Sequence, residues 1–78
     1  PELDVRCMRG EEALPAVNYF IDDALLIEQN RVRILHGTGT GALRTMIRQY
    51  LDTVAGVRDY RDEHIQFGGA GITVVELG

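Results

Sequence analysis

Seventy-eight residues, 45 % hydrophobic and 26 % charged, allow one small globular domain whose core is thin, since a chain of this size buries only about 60 % of its unfolded surface. No apolar run reaches the roughly 18 residues of a membrane helix and no signal peptide is visible, while the single Cys7 excludes an internal disulfide and fits a reducing cytoplasm. The net charge of −4 argues against tight non-specific nucleic-acid binding, yet all eight basic residues are Arg, a set suited to bidentate phosphate contacts.

Leu3-Asp4-Val5-Arg6 alternates apolar and polar positions, as a short strand does. A connector over residues 7–10 ends in Gly10. Ala13, Leu14, Val17, Phe20, Ile21, Ala24 and Leu25 then recur at helical spacing along one stripe. Glu11 and Glu12 suit the positive end of that helix, and Pro15 pins its start near them if it lies in the first turn. Gln29-Asn30 breaks the helix, and Arg31–Leu35 is the second strand. HGTGTG follows directly. Leu43, Met46, Ile47, Tyr50, Leu51 and Val54 mark a second amphipathic helix, closed by Gly56 as its C-terminal glycine. Val57–Tyr60 reads as a third strand, residues 61–69 as a polar loop, and residues 71–77 as a β-branched, central fourth strand.

The order βαβαββ predicts an α/β two-layer sandwich. Right-handed crossovers make the first two strands parallel and put both helices on one face. The last two strands are expected to be antiparallel neighbours.

The glycines at 37, 39 and 41 were compared with two phosphate-binding patterns. A P-loop needs Lys after the last Gly, but Gly41 is followed by Ala42 and Leu43, and the chain has no Lys. A dinucleotide fingerprint is formally matched by Gly37, Gly39 and Ala42, with Asp59 as the ribose-binding acid, but in a chain far shorter than that fold requires. The remaining alternatives are a plain glycine turn or an anion-binding loop at a helix start, with Thr38 and Thr40 supplying hydroxyls and His36 a proton carrier. With strands one and two parallel, Asp4, Arg6, Arg9, His36, Arg44 and Arg48 are expected to converge at one sheet edge, and Arg44 and Arg48 to lie on the exposed side of their helix. Such a set suits phosphodiester recognition or cleavage.

LDVR at 3–6, HGTGTG at 36–41 and GGAGITVVEL at 68–77 together resemble the Smr (small MutS-related) domain, over nearly the whole chain. Arg in the first motif is most similar to the version at the C-terminus of the second type of bacterial MutS protein. The absence of an initiator Met fits a piece of such a longer ATPase, itself expected to be a homodimer. The resemblance implies a mixed four-stranded sheet of order 1-2-4-3 with strand four antiparallel. It also implies nucleic-acid binding, to DNA or ribosomal RNA, with nicking endonuclease activity, in recombination suppression, DNA repair or ribosome rescue. By position, Asp4, Arg6 and His36 are the implied catalytic residues. Arg9, Gly37, Thr38, Gly39, Thr40, Gly41, Arg44, Arg48, Gly69, Gly71 and Thr73 are the candidate nucleic-acid contacts. Magnesium is a possible cofactor, with no ligand set assigned. A binding-only module and a dinucleotide-binding protein are the alternatives. Cys7 stands where the family usually has Gly, and its side chain is expected to crowd the mouth of the site.

Asp22-Asp23 read as a solvated helix face, and Asp59, Asp62, Glu63 and His64 as a polar turn or a metal site. Tyr19, Tyr60 and Phe67 could stack on bases if exposed.

Overall fold

The chain runs as strand Glu2–Asp4 (β1), helix Gly10–Leu26 (α1), strand Arg31–Leu35 (β2), helix Ala42–Leu51 (α2), strand Val57–Asp62 (β3), two 3-10 turns at Ile65–Phe67 and Gly69–Gly71, and strand Ile72–Leu77 (β4), in a computed structural model that describes residues Pro1–Gly78. The sheet order is β1-β2-β4-β3. β1 and β2 are parallel, and β4 is antiparallel to both of its neighbours. This is the topology expected from the sequence.

The core follows from the two periodicities. Val32, Ile34, Val75 and Leu77 alternate along β2 and β4, and they meet Ala13, Val17, Ile21 and Ala24 of α1 and Ile47 and Leu51 of α2 in one buried cluster. Both helices therefore cover the same sheet face. The larger side chains, such as Ile21, Ile34 and Ile47, each contribute about 1.5–3 kcal/mol through complete burial. The other face has no helix, yet Val74 on it is buried. Val74 is flanked in register by Arg33 and Arg61. Arg33 pairs with Glu2 and Glu63, while Arg61 and Arg31 share Glu76, so paired arginine stems stand on either side of it.

Four boundaries differ from expectation. β1 stops at Asp4, which leaves Arg6 on a turn. α1 begins at Gly10, where Glu12 accepts a hydrogen bond from the Arg9 amide at 3.3 Å, so Pro15 falls beyond the first turn, on the exposed side. Gly56 does not close α2, which ends at Leu51. It is required by packing: a Cβ there would stand 2.7 Å from a Leu25 methyl. β3 continues to Asp62, opposite Thr73, so the polar loop begins only at residue 63.

Candidate functional site

The HGTGTG segment joins β2 to α2, and its conformation explains the alternate glycines. Gly37, Gly39 and Gly41 have φ of 78°, 39° and 82°, in the left-handed region that a side chain disfavours. The His36 and Gly37 amides both donate to the Gly71 carbonyl, at 3.1 and 2.9 Å, which fastens the loop to the start of β4. The remaining amides point elsewhere. Those of Thr38, Gly39, Thr40, Leu43 and Arg44 have no acceptor in the chain. The last two belong to the first turn of α2, where the helix dipole adds partial positive charge.

His36 is only 5 % exposed. Its Nδ1 lies 2.7 Å from the Gly37 carbonyl, which can only accept, so Nδ1 carries the proton. Its Nε2 lies 2.7 Å from the Thr73 hydroxyl. Thr73 Oγ1 also accepts from Arg48 Nε and Nη2, at 3.2 and 3.0 Å, so its own proton goes to His36 Nε2. The imidazole is thus neutral with both nitrogens engaged. Burial pushes its pKa below the ordinary 6.5; Arg48 and Arg44 act in the same sense, and the Gly37 bond acts against them.

Arg44 and Arg48 do not lie free on the outside of α2, as the sequence suggested. Both turn inward to Asp62 Oδ1, at 2.7 and 2.6 Å, and the Arg48 side chain is only 18 % exposed. These bonds, with that from Arg44 first, hold the Asp62 carboxyl below the usual range. The sequence placed Asp62 in a polar turn or a metal site and missed its role as the shared partner of the two arginines. Its signal was the alternation Tyr60, Asp62, which continues β3 past the expected end.

A cleft of about 280 Å³ opens over the loop. Arg6, His36, residues 37–41 and Arg44 line it, together with the apolar Met8, Leu43 and Met46. Asp4 reaches the cleft only through Arg6, whose Nε and Nη2 grip it at 2.9 and 2.6 Å. That grip lowers the Asp4 pKa to about 2. Arg48 and Thr73 stand behind His36, and Gly71 behind the loop. Gly69, with φ of 53°, shapes the turn before β4. Arg9 caps α1, and the cleft lining does not include it. Cys7 does not crowd the mouth: its thiol is exposed and it is absent from the lining. Asp59 lies on β3, separated from β2 by β4, so it cannot serve the loop as a ribose-binding acid.

No group of three His, Cys, Asp or Glu side chains is placed to hold a metal ion. Asp4, the carboxylate nearest the loop, has both oxygens on Arg6. In this arrangement Asp4 is held by Arg6, and the chain presents no ready ligand set for magnesium in the absence of a phosphate.

The Smr domain family matches residues 3–78. An endonuclease MutS2 of Bacillus mycoides is 49 % identical over 76 residues, covering 97 % of this chain and 10 % of that protein. One from Bacillus cytotoxicus is 47 % identical over the same length. The chain thus spans about a tenth of the length of these curated relatives. The crystal structure of the Smr domain of Thermus thermophilus MutS2 superposes with a TM-score of 0.95 at 39 % identity, over 99 % of this chain and 96 % of that one. The stand-alone small MutS-related protein YdaL of Escherichia coli gives 0.92 at 27 % identity, over 97 % and 63 %. No helix here is long and apolar enough to cross a membrane.

Proposed function

The chain belongs to the Smr domain family, and from that premise we propose that it binds the phosphodiester backbone of a nucleic acid in the loop cleft and nicks it. One observation carries the binding: five unpaired amides, at Thr38, Gly39, Thr40, Leu43 and Arg44, line a cleft flanked by the Arg6 and Arg44 guanidiniums. Oriented amides at a helix start together with arginine forks are what a phosphate needs. The name of the Bacillus relatives, endonuclease, extends the reading to cleavage.

The chemistry then turns on Arg6. An arriving phosphate competes with Asp4 for its guanidinium. As Arg6 shifts to the phosphate, Asp4 is released, its pKa rises from about 2, and its oxygens orient an attacking water and take its proton as the new P–O bond forms; the P–O bond to one sugar oxygen breaks, and that oxygen leaves with a proton from solvent. The loop amides and Arg44 stabilise the charge that develops on the phosphoryl oxygens. His36 acts by position: it fixes the loop through Gly37 and Thr73 and takes no proton from substrate.

The engagement of both His36 nitrogens favours a second reading, a module that grips the backbone without cutting it. Nicking of supercoiled plasmid by the chain and by its Asp4→Asn and Arg44→Ala variants separates the two. Cleavage lost in Asp4→Asn with binding retained supports hydrolysis. Wild-type nicking rates in both variants would falsify it. Salt-sensitive binding that Arg44→Ala weakens, with no nicked product from any variant, selects the second reading.

A further inference from the structure

The cleft has a side that phosphate binding leaves unexplained. The same cleft is also lined by Met8, Leu43 and Met46. Met8 is 38 % exposed, although its neighbours Cys7 and Arg9 are solvent-facing and chemically unremarkable. Met46 packs against the start of α1, where a Cβ on Gly10 would meet its methyl. A phosphate alone has no use for such a surface.

Charge limits what lies against it. Arg6 is matched by Asp4, and Arg44 and Arg48 share Asp62, so the cluster has one net positive charge, enough for a single phosphate. At about 280 Å³ the cleft is at the small end of ligand pockets, which run from roughly 300 to 1,000 Å³, so it encloses no more than about one nucleotide. Thioethers pack well on aromatic faces, and an unpaired base offers one. A paired base keeps its faces within the stack.

We infer that the cleft is a single-nucleotide site selective for unpaired strands: the loop amides with Arg6 and Arg44 hold one phosphate, and the face of the attached base lies on Met8 and Met46. The inference rests on the phosphate-binding reading and adds to it the base and the strandedness. A base face is common to DNA and RNA, so both are tested.

The experiment measures fluorescence anisotropy of the 78-residue chain with labelled oligo-dT, oligo-U, a blunt duplex of equal length, and an abasic oligonucleotide that keeps every phosphate but lacks bases. Single strands are expected to bind about two- to tenfold more tightly than the duplex or the abasic strand, the range for one sulfur–aromatic contact. Met8→Gln, at an exposed position that folding does not need, should erase that preference and leave duplex and abasic binding unchanged. Arg44→Ala should weaken all four probes together. Equal affinity for oligo-dT and the abasic strand, or an intact preference in Met8→Gln, overturns the inference while phosphate binding stands. Indifference of every probe to Arg44→Ala overturns the phosphate reading itself. A preference for oligo-U over oligo-dT would assign the site to RNA, and the reverse to DNA.

Discussion

The Thr73 hydroxyl meets three nitrogens: His36 Nε2 at 2.7 Å, Arg48 Nη2 at 3.0 Å and Arg48 Nε at 3.2 Å. Thr73 is fully buried, and removing the oxygen would leave His36 Nε2 and Arg48 Nε without a partner, while Arg48 Nη2 keeps Asp62. Thr73→Val keeps the shape and deletes the oxygen. It is expected to destabilise the fold by about 1–3 kcal/mol, read as a lower urea midpoint, because unsatisfied buried groups cost more than the net value of their bonds. The same ring gives a pH dependence. His36 has a folded pKa below its ordinary 6.5, so the unfolded chain takes up that proton first as pH falls. The stability contributed by the neutral ring is whole above about pH 6.5 and declines as pH falls towards the folded value. Asp4, Asp62, Glu63 and Glu76 also have lowered values, and their contribution is lost in a separate window, below their ordinary 3.8–4.5. Urea midpoints should therefore fall between pH 7.5 and pH 5.5 in the wild type and stay level in His36→Asn over that interval. A level wild-type profile would refute the burial argument.

At the scale of elements, α1 ends against its own chemistry. The Glu28 amide donates to Leu25 and the Gln29 amide to Ala24, which is a left-handed helix stop. Glu28 takes the position, at φ 59°, where glycine is the favoured residue. Its side chain is exposed, so the strain has no offsetting contact of its own. Glu28→Gly should raise stability by about 1 kcal/mol, less the entropy that glycine adds to the unfolded chain. A thermal midpoint that falls would show that the Glu28 side chain contributes more than its geometry costs. The sequence showed that α1 ends before Gln29-Asn30, because the apolar stripe stops there, but not the stop itself, which lacks the expected glycine. The parallel pairing of the first two strands and a central fourth strand were legible for a related reason, from the βα crossovers and the β-branched run, while the full order came from the resemblance to the Smr domain. Contacts between distant segments were not. Gly56 looked like a helix terminator, yet its lack of a side chain serves Leu25 on the other helix. Asp62 looked like loop, yet it binds arginines 14 and 18 positions away. Periodicity reports which face a residue occupies, and says nothing of which partner faces it across the fold.

Across the whole molecule, the net charge of −4 and the local charge of the cleft have opposite signs. The acids of α1, Glu11, Glu12, Asp22 and Asp23, are exposed. On the helix-free sheet face, Arg31, Arg33 and Arg61 are matched by Glu2, Glu63 and Glu76, so that face offers a polyanion little unpaired positive charge. Outside the cleft, the exposed arginines without a close acidic partner are Arg9 and Arg58, so a polyanion finds little unpaired positive charge elsewhere on the surface. Proteins that track a duplex neutralise many phosphates, and their affinity falls steeply with salt, by a slope of about −0.9 per phosphate contacted on duplex and −0.7 on a single strand. On the proposed reading the cradle takes one phosphate, and Arg9, exposed beside α1 and outside the cleft lining, adds at most one neighbour. The plot of log affinity against log salt for oligo-dT should have a slope between about −0.7 and −1.4, one or two phosphates. Anisotropy titrations from 25 to 300 mM salt measure it, and Arg9→Ala should move the slope by no more than about 0.7. A slope steeper than about −3 would mean that four or more phosphates are held, which requires the sheet-face arginines to leave their glutamates and makes the strand's path run across the sheet instead of ending in the cleft.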